Sequence, residues 1–204
     1  MNGRIPDLRL KDVLVYQSFN SITPDYSILA AANAMICEKA RLLVFNADNT
    51  LVGIITASDM VRAFSKTEEN NSLEHTMNKK IFDLRFTDTV LGAINLMHTE
   101  SIGSVIINDQ NTDYKKAYGI FTERDLLTRI LLKDIDLESN VGHHCSTPLI
   151  MAPIETRAKK AAEIMTSNKI KRLPLTVEGR PVAMVTARDL VEAFGVGMSY
   201  GTKT

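Results

Sequence analysis

The sequence is short of cysteine, of net charge and of long apolar runs, and each shortage excludes a class of protein. Its 24 Lys and Arg residues balance 24 Asp and Glu residues. A net charge of zero provides no overall field that would attract nucleic acid or an anionic membrane, so we expect neither as a partner. The two cysteines, Cys37 and Cys145, lie far apart without CxxC spacing. This spacing predicts neither a disulfide framework nor a zinc ribbon.

No apolar run approaches the roughly 20 residues that would span a bilayer, and the first ten residues lack the apolar stretch of a secretory signal. We therefore expect a cytoplasmic protein. No GxSxG, Walker A or Rossmann glycine pattern occurs, so we expect no enzymatic activity. His143, His144 and Cys145 form a metal-like cluster, but neighbouring side chains of an extended segment alternate in direction and structural zinc needs four donors. We predict no metal site.

An internal repeat is the main positive feature of the chain. Residues 53–64 read GIITASDMVRAF, residues 119–130 read GIFTERDLLTRI and residues 183–194 read AMVTARDLVEAF. Two short β-rich runs precede each Thr-x-x-Asp, and apolar residues at helical spacing follow it. With a further helix upstream, each repeat reads strand, helix, strand, strand, helix. The predicted repeats cover residues 10–65, 73–132 and 141–195, and polar linkers at 66–76 and 133–141 separate them.

The pattern also predicts where helices begin and which faces they bury. In the first repeat, Thr23 is the expected N-cap and Pro24 the first helical residue. In the second repeat, Thr87 and Asp88 open the corresponding helix. The helix after the second Thr-x-x-Asp is expected to bury Leu126, Leu127 and Ile130 on one face.

At these residues the chain resembles the cystathionine β-synthase (CBS) domain family, whose repeats carry an apolar-Gly-apolar-apolar-Thr/Ser-x-x-Asp signature. The third copy departs from it, since Ala183 stands where the family has glycine. The resemblance implies an α/β (α+β) fold of β-α-β-β-α repeats packed in pairs through their sheets. It also implies clefts between paired repeats that bind adenine-containing ligands, namely AMP, ADP, ATP or S-adenosylmethionine, with no cofactor required.

The resemblance further implies roles for individual residues. The signature aspartate accepts hydrogen bonds from ribose hydroxyls, while the threonine and nearby basic residues hold phosphate, which a helix N-terminus also favours. The expected ligand residues are Thr186, Arg188, Asp189, Lys171 and Arg172 in the third repeat, Ser146 and Ile150 on the strand that leads into it, Thr122, Arg124 and Asp125 in the second repeat, and Thr56, Asp59 and Arg41 in the first. The third repeat has the fullest basic set.

Two alternatives remain open from the sequence. Thr and Asp are favoured wherever a helix begins, so the signatures also fit plain helix caps in a structural scaffold that binds no ligand. The pairing of three repeats is open too. We expect repeats 2 and 3 to pair within the chain, and repeat 1 to meet its symmetry mate in a homodimer. Pairing of repeats 1 and 2 is the other arrangement. The expected function is a regulatory module that signals to an unidentified partner protein.

Overall fold

The computed structural model describes residues 9, 21–38, 41–68, 70–109 and 118–199. These residues form two compact units. The repeat-2 unit contains Ile81–Ile150. The repeat-1/3 unit contains the described residues from Ser21 to Lys80 together with those from Met151 onward. Within the described ranges, no helix is both long and apolar enough to cross a membrane.

Repeats 1 and 3 have the same order of elements and together build the repeat-1/3 unit. The elements of repeat 1 are β1 (Ser21–Ile22), α1 (Ile28–Glu38), β2 (Leu42–Phe45), β3 (Leu51–Ile55) and α2 (Ala57–Phe64). In each repeat the first strand is parallel to the second, and the second and third form an antiparallel hairpin.

Repeat 2 supplies β4 (Asp83–Arg85), α3 (Val90–Thr99), β5 (Ser104–Asn108), β6 (Tyr118–Thr122) and α4 (Glu123–Asp125). A π-helical turn (Leu126–Ile130) and a 3₁₀ turn (Leu131–Lys133) continue α4. Repeat 3 supplies β7 (Ala152–Pro153), α5 (Ala158–Asn168), β8 (Arg172–Val177), β9 (Arg180–Thr186) and α6 (Ala187–Ser199). The repeating α/β organisation predicted from the sequence is confirmed.

Helices hold repeats 1 and 3 together. The rings of Phe64 on α2 and Phe194 on α6 stack with centroids 4.4 Å apart, and both side chains are buried. Small residues let α1 approach α6 closely, because a Cβ added at Gly195 would lie 2.8 Å from Cδ1 of Ile36. Neither predicted pairing of repeats included this helical contact. Pairing of the sheets of repeats 2 and 3 stays a prediction.

Two segments at the starts of repeats pair with the hairpin of a different repeat. We call residues 70–80, where repeat 2 starts, and residues 141–150, where repeat 3 starts, the lead-in segments. Asn78 exchanges backbone hydrogen bonds of 2.9 and 2.8 Å with Met184 on β9. Ser146 exchanges bonds of 2.8 and 3.0 Å with Ile120 on β6. The predicted linker at 66–76 is therefore partly structural, and its Leu73 is buried.

Three local predictions were wrong. The first helix begins at Ile28, not at Pro24, and the hydroxyl of Ser27 rather than Thr23 accepts the Ala30 N–H. Helix α3 begins at Val90, and Thr89 caps it by accepting the Gly92 N–H at 3.0 Å. Several Thr, Ser and Asp residues precede each helix, and turn geometry selects among them. The π-helical turn changes the angular spacing of residues, so that Leu127 is 57% exposed.

The stacked phenylalanines yield a stability prediction. Replacing Phe194 with alanine should lower the free energy of unfolding by about 3–5 kcal/mol, because it leaves a cavity between α2 and α6. Urea unfolding followed by circular dichroism measures the change. Tyr26→Ala is the control, since Tyr26 is half exposed and its loss should cost less than about 0.5 kcal/mol. Equal losses in the two variants would contradict the packing described.

Candidate functional site

The three Thr-x-x-Asp signatures share one local geometry. In each, the strand ends at the threonine or, in repeat 1, at the residue before it, the residue after the threonine begins the helix, and the threonine N–H donates to Oδ2 of the aspartate. These N–O distances are 3.0 Å for Thr56–Asp59, 3.0 Å for Thr122–Asp125 and 2.7 Å for Thr186–Asp189. In the first two repeats the threonine hydroxyl also donates to Oδ2, at 2.6 Å. Every signature is therefore a helix cap, whatever else it does.

In repeat 2 the aspartate is committed to contacts within its own unit. Asp125 is buried, and its Oδ1 lies 3.1 Å from Nε of Arg129. The Arg129 guanidinium also donates to the carbonyl oxygens of His144 and Cys145 and to the hydroxyl of Ser146, at 3.0, 2.8 and 3.0 Å. The structure thus brings Ser146 beside the second signature, although the sequence associated it with the third. Both Asp125 oxygens already have donors.

In repeat 1 the aspartate also has an internal counter-ion. Nη2 of Arg62 lies 2.6 Å from Oδ1 of Asp59. Burial alone would raise the pKa of Asp59, but the hydrogen bonds from Thr56 and the charge of Arg62 together outweigh it and lower the pKa. Asp59 is therefore a stabilised carboxylate.

Asp189 in repeat 3 lies in a different electrostatic environment. Burial raises the pKa of Asp189, and the Thr186 hydrogen bonds and the nearby Arg188 only partly compensate. Its ionised form is thus less well stabilised by the protein than that of Asp59. Additional hydrogen-bond donors, such as the hydroxyls of a ligand, would stabilise the ionised form further.

Parts of the signatures of repeats 1 and 3 line one cleft in the repeat-1/3 unit, which we call the signature cleft, but the expected ligand residues Asp59, Thr186 and Asp189 are not part of its lining. Its volume is about 260 Å³. It contains the expected ligand residues Arg41, Thr56, Lys171 and Arg188. The full lining is Met35, Ile36, Arg41, Thr56, Ala57, Ser58, Lys171, Ala187, Arg188 and Val191. The N-termini of α2 and α6 therefore meet here beside three basic residues, an arrangement that favours an anion.

A second cavity of the same unit is larger, about 550 Å³. Its lining contains none of the residues expected from the sequence and consists of Ser72, Leu73, Glu74, Met77, Lys79, Ile154, Glu155, Thr156, Arg157, Val182 and Ala183. Glu74 and Glu155 offset Lys79 and Arg157, so this cavity has no excess of positive charge. We assign the candidate anion site to the signature cleft, because its basic side chains and the backbone N–H groups at the starts of α2 and α6 both attract negative charge.

The remaining expected residues lie elsewhere. Arg124 is exposed on α4, Ile150 ends the repeat-2 unit, and Arg172 begins β8. In the cluster of His143, His144 and Cys145, His143 packs edge-on against Phe86, and Nε2 of His144 lies 3.0 Å from the hydroxyl of Ser139. These contacts give the two histidines structural roles.

Sequence reasoning missed Arg129 and the apolar wall of the cleft. Arg129 lies four residues after Asp125, a helical spacing at which opposite charges meet, so that signal was present in the sequence. Met35, Ile36 and Val191 belong to α1 and α6, which come from different repeats. Only the folded chain brings them together.

Comparison with known proteins identifies relatives of the whole chain. The profile of the family described as CBS domain matches residues 10–66, 73–132 and 141–196. The uncharacterized protein MJ1225 of Methanocaldococcus jannaschii is 28% identical over 95% of this chain and 74% of its own length. The inosine-5'-monophosphate dehydrogenase of the same organism is 28% identical over 89% of this chain. The match spans only 35% of that enzyme.

Solved structures show the same fold. An uncharacterized conserved protein from Pyrococcus horikoshii superimposes with a TM-score of 0.71 and 20% identity over 88% of this chain and 80% of that chain. The crystal structure of MJ1225, proposed as an archaeal homologue of γ-AMPK, superimposes with a TM-score of 0.66 and 19% identity. That match covers 87% of this chain and 68% of the other.

The contrast between Asp59 and Asp189 predicts opposite pH dependences. The lowered pKa of Asp59 means that its stabilising contribution is present above the unfolded pKa of about 3.9 and is lost as the pH falls through the folded value. The raised pKa of Asp189 means that its protonated form is favoured by folding. The contribution of Asp189 therefore declines as the pH rises from about 3.9 through the folded value.

Urea unfolding of Asp59→Asn and Asp189→Asn between about pH 3 and pH 7 measures both effects. The cost of Asp59→Asn relative to wild type should increase with pH, and that of Asp189→Asn should decrease. Parallel pH profiles for the two variants would contradict the environments described.

Proposed function

This chain is a member of the CBS domain family, and from that membership we propose that it is a non-catalytic regulatory module that binds an adenosine phosphate in the signature cleft. The observation that carries the proposal is the meeting of two helix N-termini with Arg41, Lys171 and Arg188 around one opening. Planar guanidinium groups and an ammonium group are the usual protein ligands of phosphate.

The rest of the cleft suits the other parts of such a ligand. Met35, Ile36 and Val191 supply apolar surface for a base, and the hydroxyls of Thr56 and Ser58 supply polar contacts. The neighbouring Asp189 has a raised pKa, so ribose hydroxyls that donate to it would stabilise its charge. A volume of about 260 Å³ lies just below the usual range of small-molecule sites, roughly 300–1,000 Å³. We therefore expect a mononucleotide such as AMP, ADP or ATP ahead of a dinucleotide, with S-adenosylmethionine, which has no phosphate, as the alternative.

A regulatory role is supported by the wall of the signature cleft, because two different repeats contribute residues to it. Repeat 1 contributes Arg41 and Thr56, and repeat 3 contributes Lys171 and Arg188. A ligand that contacts both repeats stabilises one arrangement of α1 and α6 over others. A partner protein that binds preferentially to that arrangement would sense the ligand. The proposed relation of MJ1225 to γ-AMPK and the match to part of a purine-nucleotide dehydrogenase support such a role.

A structural scaffold is the second candidate. Its support is that Asp59 and Asp125 each have both carboxylate oxygens occupied by donors of the chain itself. Two of the three signatures are thus complete as helix caps, and no ligand is needed to explain them.

Calorimetric titration with AMP, ADP, ATP and S-adenosylmethionine separates the two candidates. We expect at least one nucleotide to bind wild type. Lys171→Ala and Arg188→Ala should each weaken that binding by about 10- to 100-fold, because each removes a charge-assisted phosphate contact.

Arg180→Ala is the matched control, since it removes the same charge from an exposed position of β9 outside the cleft. It should bind like wild type. Wild-type protein that binds none of the four ligands would favour the scaffold, and equal losses in Arg180→Ala and Arg188→Ala would exclude the signature cleft as the site.

A further inference from the structure

The second cavity of the repeat-1/3 unit carries charges of both signs that do not pair with each other. Its volume is about 550 Å³, and its lining includes Glu74, Lys79, Glu155 and Arg157. Over the described ranges, none of these four side chains forms an ion pair within 4.0 Å. Two carboxylates and two cations therefore line one space without neutralising each other.

Arg157 is held in place at this cavity by the lead-in segment 70–80. Its Nε donates to the carbonyl oxygen of Asn70 at 2.7 Å. The N–H of the next residue, Ala158, donates to the carbonyl oxygen of Asn71 at 2.9 Å. A guanidinium group has five N–H donors, and its two terminal nitrogens suit the two oxygens of a carboxylate. Among the described residues, the terminal nitrogens of Arg157 have no such partner.

Apolar side chains form much of the remaining wall. Leu73 and Ala183 are buried, and the lining also contains Met77, Ile154 and Val182. A volume of about 550 Å³ lies within the usual range of small-molecule sites, roughly 300–1,000 Å³. Such sites combine a mostly apolar wall with a few polar groups that orient the ligand. The second cavity has this composition.

The charges of the lining restrict the class of ligand. A ligand that covers a charged side chain removes water from it, which costs free energy unless the ligand supplies the opposite charge. A purely anionic ligand would leave the two carboxylates of the cavity unpaired. A purely cationic ligand would leave Lys79 and Arg157 unpaired. A ligand that carries both charges satisfies both kinds of side chain.

We propose that the second cavity binds a zwitterionic amino compound, with its carboxylate on Arg157, its ammonium group on Glu155 and an apolar body against the apolar wall. Free apolar α-amino acids and short peptides share this chemistry. The linings of the second cavity and of the signature cleft have no residue in common. The second cavity therefore gives the chain a binding function separate from that of the signature cleft.

Calorimetric titration with L-leucine and with the dipeptide leucyl-leucine tests the ligand class. At least one of the two should bind wild type, and the tighter one identifies the source as a free amino acid or a peptide. The N-acetylated form of each lacks the ammonium group, and the C-terminal amide of each lacks the carboxylate. Each blocked form should bind at least about 10-fold more weakly, because it loses a charge-assisted contact.

Two variants locate the site. Glu155→Gln and Arg157→Gln should each weaken binding by about 10- to 100-fold. Arg157→Gln also removes the hydrogen bond to Asn70, so Glu155→Gln keeps the test independent of folding. The side chain of Glu155 forms no hydrogen bond or ion pair among the described residues, and the thermal unfolding of Glu155→Gln should match that of wild type. Glu192→Gln is the matched control, since Glu192 is exposed on α6 and lines neither cavity.

Three results would overturn the proposal: no binding of either zwitterion, blocked forms that bind as tightly as the parent compounds, or equal losses in Glu155→Gln and Glu192→Gln. Titration of Glu155→Gln with AMP and ATP separates this proposal from the proposed function. Nucleotide binding by that variant should equal that of wild type, because Glu155 does not line the signature cleft. A loss of zwitterion binding alone thus concerns only the second cavity.

Discussion

The reciprocal contact between a strand-end threonine and an aspartate three residues later organises each repeat. The threonine N–H donates to the carboxylate, and the first helical residues follow at once, so the contact sets the angle between the hairpin and the helix that leaves it. Such caps are worth about 1 kcal/mol each, a modest energy. Their larger effect is geometric, because each cap fixes the start of its helix, and the starts of α2 and α6 both line one cleft.

The three caps are alike in geometry and differ in what surrounds the carboxylate. Arg62 neutralises Asp59 locally, and Arg129 ties Asp125 to the segment that leads into repeat 3. Asp189 is half-buried, and the donors around it offset this burial only in part, so its pKa is raised. The same signature therefore has three roles. In repeat 1 it is a stabilised surface cap, in repeat 2 its buried carboxylate links two segments, and in repeat 3 its carboxylate lies next to a basic cleft. The repeat with the richest basic set is also the one whose aspartate remains under-compensated.

Much of the fold could be predicted because its signals are local. Hairpin strands follow from short β-rich runs around turn residues, and two strands precede each Thr-x-x-Asp as the sequence predicted. The buried faces of α2 and α6 follow from helical spacing. Predictions were wrong where several residues could cap the same helix, as at Ser27 and Thr89, and where a π-helical turn changes the helical spacing, as at Leu127. The contact of Ser146 with Arg129 beside the second signature could not be predicted, because it depends on the pairing of residues 141–150 with β6, which no sequence periodicity indicates.

The sequence by itself determined the threefold repeat, the elements within each repeat and the residues that cap its last helix, because these depend on interactions between residues a few positions apart. Only the tertiary structure decided which signatures contribute to one cleft and which aspartate retains an under-compensated charge. Those outcomes depend on residues more than a hundred positions apart, such as Arg41 and Lys171, which line one cleft, and Asn78 and Met184, which pair by backbone hydrogen bonds. The burial and the electrostatic environment of these side chains arise only when the chain packs, so no single repeat encodes them.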